Sequence, residues 1–364
     1  VEEWNMRRFV TSESVTEGHP DKVCDIVCDA VLDHYLALDR EALVSLKALA
    51  AKDLVCIAGE VAGYRCLDSD IAPTIRDAIR EIGYVEPDYG FDFRSVEIID
   101  RIDRHDINDF NKIGWIEGDL HGARDQGIVF GFACDETDDL MPLPIMLANG
   151  LARGLSDLRK TGALDYLKPD GKTQVTVEYG GDGRPKRIDS VVISTLHDVI
   201  VTRGEIERDL KERLIMPVCG GLVDGETRYI INPTGRFIVG GPAIDTGITG
   251  RKLIVDTYGE AARHGGGAFS GKDPTSTDRC GAYLARNIAK NVVAAGLAAR
   301  CEIEMAYAIG SMVPLHLTVD THSTGKFDDL RLQEIIEENF DLTITGALNR
   351  FGLRSPIFGK TAAY

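Results

Sequence analysis

The chain has 364 residues, 44% hydrophobic and 27% charged, the balance of a soluble globular protein long enough for two or three domains. Its formal charge of −17 repels nucleic acid and anionic membranes, so neither is expected as a partner, and any bound polyphosphate needs its own cluster of Lys, Arg and Mg²⁺. No apolar run reaches the length of a membrane span, residues 1–15 carry charges where a signal peptide needs an apolar core, and eight scattered cysteines read as reduced and buried, so a cytoplasmic location is expected.

Val23, Ile26, Val27, Ala30, Val31 and Tyr35 recur at helical spacing after His19-Pro20-Asp21, a start with proline and an acid in its first turn. A strand over Leu54–Val61, a helix over Ile71–Ile82 and a strand over Ser95–Ile99 follow, and the polar residues 100–120 read as a mobile loop or domain junction. Gly127–Ala133 is strand-like, 145–160 helical, Gln174–Glu178 and Ser190–Thr195 alternate as strands, and Glu205–Ile215 is an amphipathic helix. Asn232–Gly250 is rich in Pro and Gly and leads to a short apolar strand, Leu253–Asp256. A long Ala-rich helix over 279–299, strands near 302–308 and 315–319, and a helix over 329–339 complete the pattern. Helices and strands mix in three segments of similar length, which fits three α/β units.

Several glycine-rich loops carry cations. Gly265-Gly-Gly-Ala-Phe-Ser-Gly-Lys-Asp273 lets the backbone bend tightly and bring N–H groups to an anion, with Lys272 beside it and Asp273 and Asp278 as hard oxygen ligands for Mg²⁺. Gly266, Gly271 and Lys272 match the P-loop pattern, but Asp273 replaces its closing hydroxyl, so the loop handles phosphate outside that class. His19, Asp21 and Lys22 sit at a helix mouth that favours an anion; His19 can donate to a leaving-group oxygen and Asp21 can hold Mg²⁺, or the segment is a plain cap with a solvated His. Lys172 stands at a strand start beside a turn, and Asp245, Arg251 and Lys252 precede the strand at 253, where an Arg-Lys pair suits a triphosphate. Each alone also reads as a solvated surface turn; together they point to Mg-polyphosphate chemistry.

These residues resemble the S-adenosylmethionine synthetase (methionine adenosyltransferase) family from Phe9 to Tyr364. The resemblance rests on TSESVTEGHPDK at 11–22, GxxDQG at 122–127, DGKTQV at 170–175, NPTGRF at 232–237, TGRKLIVDTYG at 249–259 and HGGGAFSGKD at 264–273. It implies three similar α/β domains about a pseudo-threefold axis, set here at 1–105, 119–237 and 238–364, and a dimer, sometimes paired again into a tetramer, with sites shared between subunits. The implied reaction makes S-adenosylmethionine from ATP and methionine and then cleaves the expelled tripolyphosphate to phosphate and pyrophosphate. By resemblance His19 lies by the C5′ oxygen and triphosphate, which Lys172, Arg251, Lys252 and Lys272 grip, while Asp21 and Asp278 bind two Mg²⁺ ions. Glu60, Asp125 and Asp245 would face methionine and the nucleoside, with Asp170 also at the substrate. Phe237 would stack on adenine, and Ile309 would line the sulfur side.

Four positions depart from the family pattern. Lys47 stands where relatives have a Glu that ligates a monovalent cation, so either its ammonium replaces K⁺ and makes the ion dispensable, or it faces solvent. Arg124 adds a bulky cation beside Asp125, either in the site or pointing outward. Asp103 aligns with a gating-loop Gln that touches the methionine carboxylate, and Ser276 replaces a substrate-contacting Lys. The last two weaken carboxylate binding, so either Arg124 restores that contact or the substrate is a methionine analogue with an altered carboxyl end. A non-catalytic ATP-binding regulatory paralogue is the remaining alternative. By the same resemblance, a Gly-His-Phe-Gly segment usually follows Ala362-Ala-Tyr364 in relatives, which leaves open whether a tail continues here.

Overall fold

The computed structural model describes residues 8–107, 116–117 and 120–364. The first strand, β1 (Arg8–Val15), leads into α1 (Pro20–Leu38). His19 is the N-cap of α1 and accepts from the Asp21 amide through its side chain, so the first turn forms around proline as its sequence predicts. β2 (Leu43–Ala51), β3 (Leu54–Ala62), α2 (Ala72–Ile82) and β4 (Glu97–His105) follow, then a small hairpin of β5 (Ile116–Glu117) and β6 (Leu120–His121). The central part holds β7 (Gly127–Cys134), α3 (Leu143–Lys160), β8 (Leu167–Tyr179) and β9 (Pro185–His197). Next come α4 (Arg203–Leu210), continued through a π turn at Lys211–Ile215 into α5 (Met216–Cys219), and β10 (Arg228–Ile231). The last part contains β11 (Gly247–Ile248), α6 (Thr277–Ala294), β12 (Arg300–Tyr307), β13 (His316–Asp320), α7 (Asp329–Asn339) and α8 (Ile344–Phe351).

Three main sheets result, in the orders β11-β2-β3-β4, β1-β8-β9-β10 and β13-β12-β7. Each takes one outer strand from a neighbouring third of the chain. β1 runs antiparallel to β8, β11 closes the sheet of β2, and β7 pairs along all of β12. Helices α1 and α2 cover the first sheet, α3 the second and α6 the third, giving three α/β layers. Among the described residues no helix is long and apolar enough to cross a membrane.

Some expectations need correction. Residues 100–105 belong to β4, which pairs parallel with β3 from Leu54↔Glu97 to Ala62↔His105. Their polar character reflects alternation, with Ile102 buried while Arg101 and Asp103 face solvent. Residues 108–115 and 118–119 of the expected loop lie outside the described residues. Leu253–Asp256 is a turn rather than a strand: the Asp256 amide donates to the Lys252 carbonyl at 2.9 Å, and the Asp256 carboxylate pairs with Lys22. β1 gives no apolar strand signal because Ser12 and Ser14 stand at its inward positions, and Ser14 Oγ donates to Asn149 Oδ1 at 2.7 Å; no element is predicted over β2, although Val44, Leu46, Ala48 and Ala50 alternate inward along it. All eight cysteines are free, and only Cys56 is not buried.

Candidate active site

The contacts of the described residues assemble the predicted site residues in two groups. The first gathers at the start of α1. Lys252, from the turn after β11, places Nζ 2.6 Å from Asp21 Oδ2, and Asp21 Oδ1 accepts from the Ile248 amide at 2.9 Å. Although burial raises the Asp21 pKa, these bonds outweigh it and hold the carboxyl below its usual range. His19 is buried, and burial, reinforced by the charges of Lys252 and Lys172, lowers its pKa to about 3. The ring is therefore neutral, and because Nδ1 accepts from the Asp21 amide at 3.2 Å, its proton sits on Nε2. Lys172 is exposed in the middle of β8, two residues after Asp170 and paired with Val15 and Ser194, rather than at a strand start beside a turn.

Asp170 joins this group from β8. Its Oδ2 accepts from the Gly241 amide at 2.9 Å, while Oδ1 is buried with no partner. Burial lifts this carboxyl to about 6, with Asp245 adding to the rise and the Gly241 bond and Lys172 opposing it. Phe237 is tied to His197 by two bonds, its amide donating to Nε2 at 3.2 Å and its carbonyl accepting from the His197 amide at 2.9 Å. A Cβ on Gly240 would come within 2.8 Å of the Phe237 ring and 3.1 Å of Asp170 Oδ2, so ring and carboxylate flank one spot. Asp245 and Arg251 are exposed.

The second group forms around the glycine loop. Lys272 Nζ pairs with Asp278 in the first turn of α6, and a Cβ on Gly267 would stand 2.2 Å from Asp278 Oδ1, so glycine leaves that carboxylate its room. A bridge between Ser45 and Lys272 sets the loop beside the first sheet. There Ser45, Glu60 and Asp103 form one row across β2, β3 and β4, with Glu60 and Asp103 exposed neighbours. Asp103 thus lies on a strand rather than in the loop that follows. Lys47 is exposed one step further along the same face. Ser276 is the N-cap residue of α6, and its amide donates to the Asp273 carbonyl at 3.1 Å. Asp125 and Ile309 are brought close by reciprocal backbone bonds, Ala123 amide to Ser311 carbonyl at 2.8 Å and Gly310 amide to Ala123 carbonyl at 2.7 Å. Ile309 is 59% exposed.

Two readings change here. Asp273 does not offer itself to a metal: it is fully buried, Oδ2 accepts from the Val44 amide at 2.6 Å, and Oδ1 accepts from the Thr275 amide at 2.8 Å. Arg124 neither points outward nor stands free at the site, because it turns inward onto Asp273.

The remaining carboxylates suit Mg²⁺. Among the described residues no cluster of three or more His, Cys, Asp or Glu is arranged to hold a metal by itself. Mg²⁺ binds through one or two carboxylates, with water and substrate phosphates completing its shell, and Asp21 and Asp278 each present a partly exposed carboxylate next to a lysine ammonium. Each Lys–Asp pair can open so that the lysine meets a phosphate and the aspartate meets its counter-cation.

Sequence reasoning missed the charges beneath these groups. Lys22 is buried between Asp25, at 3.0 Å, and Asp256; Arg279 is buried against Asp29 at 2.7 Å. A signal existed in the aspartates at 21, 25, 29 and 33, one helical turn apart on α1, a spacing that puts all four on one face.

Matches to known families cover the chain nearly end to end. Residues 7–106 match "S-adenosylmethionine synthetase, N-terminal domain", residues 120–237 match "S-adenosylmethionine synthetase, central domain", and residues 239–364 match "S-adenosylmethionine synthetase, C-terminal domain".

Proposed function

Because the chain belongs to the S-adenosylmethionine synthetase family, we propose that it transfers the adenosyl group of ATP to methionine and then cleaves the expelled tripolyphosphate to phosphate and pyrophosphate. The observation that carries this reading is the pair of opposed couples, Lys252–Asp21 and Lys272–Asp278, each a phosphate grip next to a metal ligand. In the transfer, a methionine sulfur lone pair forms the S–C5′ bond as the C5′–O bond breaks, and that electron pair leaves with the triphosphate. Sulfur becomes positive and the leaving chain gains charge, so catalysis is alignment plus electrostatic stabilisation. Lys172, Arg251, Lys252 and Lys272 bind the chain, and neutral His19 donates Nε2–H to the departing oxygen. Asp170 accepts a nucleoside hydroxyl through its free Oδ1, which relieves its unpaired burial, and Phe237 stacks on the base. Asp125, Asp245 and Glu60 face methionine and the nucleoside, and Ile309 lines the path of the sulfur. When bound, two Mg²⁺ ions held by Asp21 and Asp278 would neutralise charge on the phosphate oxygens.

The two groups meet across a two-fold dimer, the first from one subunit facing the second from its partner, and such dimers can pair into tetramers. The protein works in the cytoplasm. Lys47 supplies the charge that K⁺ supplies in relatives, so activity needs no added potassium. Incubation with ATP, Mg²⁺ and methionine, followed by mass spectrometry, is expected to yield the sulfonium product; its absence would overturn the proposal.

A second reading is favoured by Asp103, in register beside Glu60, and by Arg124, held by Asp273. Both disfavour an α-carboxylate, so the nucleophile is a thioether amine with an altered carboxyl end. A panel of thioethers decides between the two, and the highest kcat/KM for methionine removes the second.

A further inference from the structure

The charges buried under the glycine loop are costly. Asp29 and Arg279 have side-chain exposures of 0% and 1%, and a buried ion pair seldom stabilises a fold better than apolar residues of the same volume. Their arrangement therefore calls for another reason. Arg279 donates from one guanidinium nitrogen to Asp29 Oδ2 at 2.7 Å, and from the other to Asp29 Oδ1 at 2.9 Å and the Lys272 carbonyl at 2.8 Å. Its Nε donates to Tyr283 Oη at 3.0 Å, and its plane lies 4.2 Å from the centre of the Phe358 ring. Asp29 Oδ1 also accepts from the Gly271 amide at 2.8 Å. The pair thus grips the Gly271–Lys272 segment at both ends, by the N–H of one residue and the C=O of the next.

From the opposite side, the Leu46 amide donates to the Gly271 carbonyl at 2.8 Å, and Asp273 is anchored to Val44. Gly271 has φ +81, and a Cβ there would meet the Leu46 carbonyl oxygen at 2.3 Å. Three consecutive loop residues are therefore fixed from two directions, and only the Lys272 side chain projects away from these bonds.

We propose that Asp29 and Arg279 are positioning residues that hold the Lys272 ammonium where a polyphosphate chain binds. The inference rests on the reading of Lys272 as a phosphate ligand. Neither residue touches the ligand; both act through the loop backbone. A cation held in advance loses less freedom on binding, and a displaced one forfeits charge-assisted hydrogen bonds. Asp33 makes the natural comparison. It lies one turn further along α1 and accepts from the Phe358 and Gly359 amides at 2.9 and 2.8 Å, so it meets the pair only through the Phe358 ring on Arg279 and bonds no residue of the Gly271–Lys272 segment.

The test uses the full chain, inorganic tripolyphosphate with Mg²⁺ as probe, and three variants, Asp29→Asn, Arg279→Lys and Asp33→Asn. Calorimetry is expected to show Kd weakened about tenfold or more for the first two, with Asp33→Asn close to wild type even if it melts earlier. Folded Asp29→Asn or Arg279→Lys with wild-type Kd would overturn the proposal, as would equal weakening by Asp33→Asn. Should either variant fail to fold, hydrogen exchange on the unaltered protein decides. The Gly271–Lys272 amides are expected to be protected without ligand to the same degree as the interior of α6, and fast exchange there contradicts a preset loop. A wild type that binds tripolyphosphate but yields no sulfonium would refute the synthetase reading and leave this inference standing.

Discussion

At the scale of one residue, the proposed function makes Asp170 a binding group kept at the expense of stability. Its carboxyl is raised to about 6 by burial, against an ordinary value of 3.8. The folded state therefore holds a proton that the unfolded state has already lost between those values. Its contribution to stability is present below pH 3.8 and is lost as pH rises through about 6. Asp170→Asn removes that loss. The ligand-free variant is expected to melt at a higher temperature than wild type at neutral pH, with the gap closing toward pH 4, while nucleotide binding weakens because the amide oxygen stays with the Gly241 N–H and the NH2 group left in place of Oδ1 cannot accept the nucleoside hydroxyl. Thermal melts across pH check this, and a pH-independent difference would contradict it. Lys47→Glu is the second residue-scale prediction: activity should begin to rise with added KCl, whereas an unchanged response returns Lys47 to the solvent. The sequence pointed to residue types suited to phosphate, but not to which way each one turned. Asp273 and Asp278 looked alike there; the Val44 and Thr275 amides consume the first, and the second stays at the surface of a helix turn.

At the scale of elements, helical periodicity was the readable signal and polar strands were the unreadable one. α1 and α2 follow from apolar spacing and from proline in the first turn. β1 and the polar second half of β4 hid because their polar residues are satisfied by pairing or face solvent, which a pattern of apolar residues cannot register. The turn at 253–256 hid for a different reason, since its shape is fixed by Lys22, more than two hundred residues away along the chain. Close packing between elements depends on small residues at defined points. A Cβ on Gly131 of β7 would stand 2.0 Å from the Ala285 backbone in α6, a contact that cannot relax without moving the helix. Gly131→Ala is expected to cost about 1–3 kcal/mol, the usual range for overpacking, read from urea denaturation. A loss below about 0.5 kcal/mol would mean that α6 slides freely on the sheet.

For the whole molecule, the exchange of outer strands among the three sheets makes the thirds of the chain interdependent, a topology that no local pattern announced. The division of candidate site residues into two groups has a consequence for assembly. If a two-fold dimer completes each site from both groups, Lys252→Ala and Lys272→Ala chains are each nearly inactive. Refolded together in equal amounts, they should recover about a quarter of wild-type activity, because half the dimers are mixed and each mixed dimer keeps one intact site. No recovery would place both groups of a working site in a single subunit. The central claim is that the lysines and aspartates serve displacement of an intact triphosphate rather than stepwise phosphoryl transfer. Phosphorus NMR of a single turnover with ATP, Mg²⁺ and methionine tests it most directly: phosphate and pyrophosphate should appear in equal amounts with the sulfonium product and without ADP, whereas ADP as the first product would contradict it.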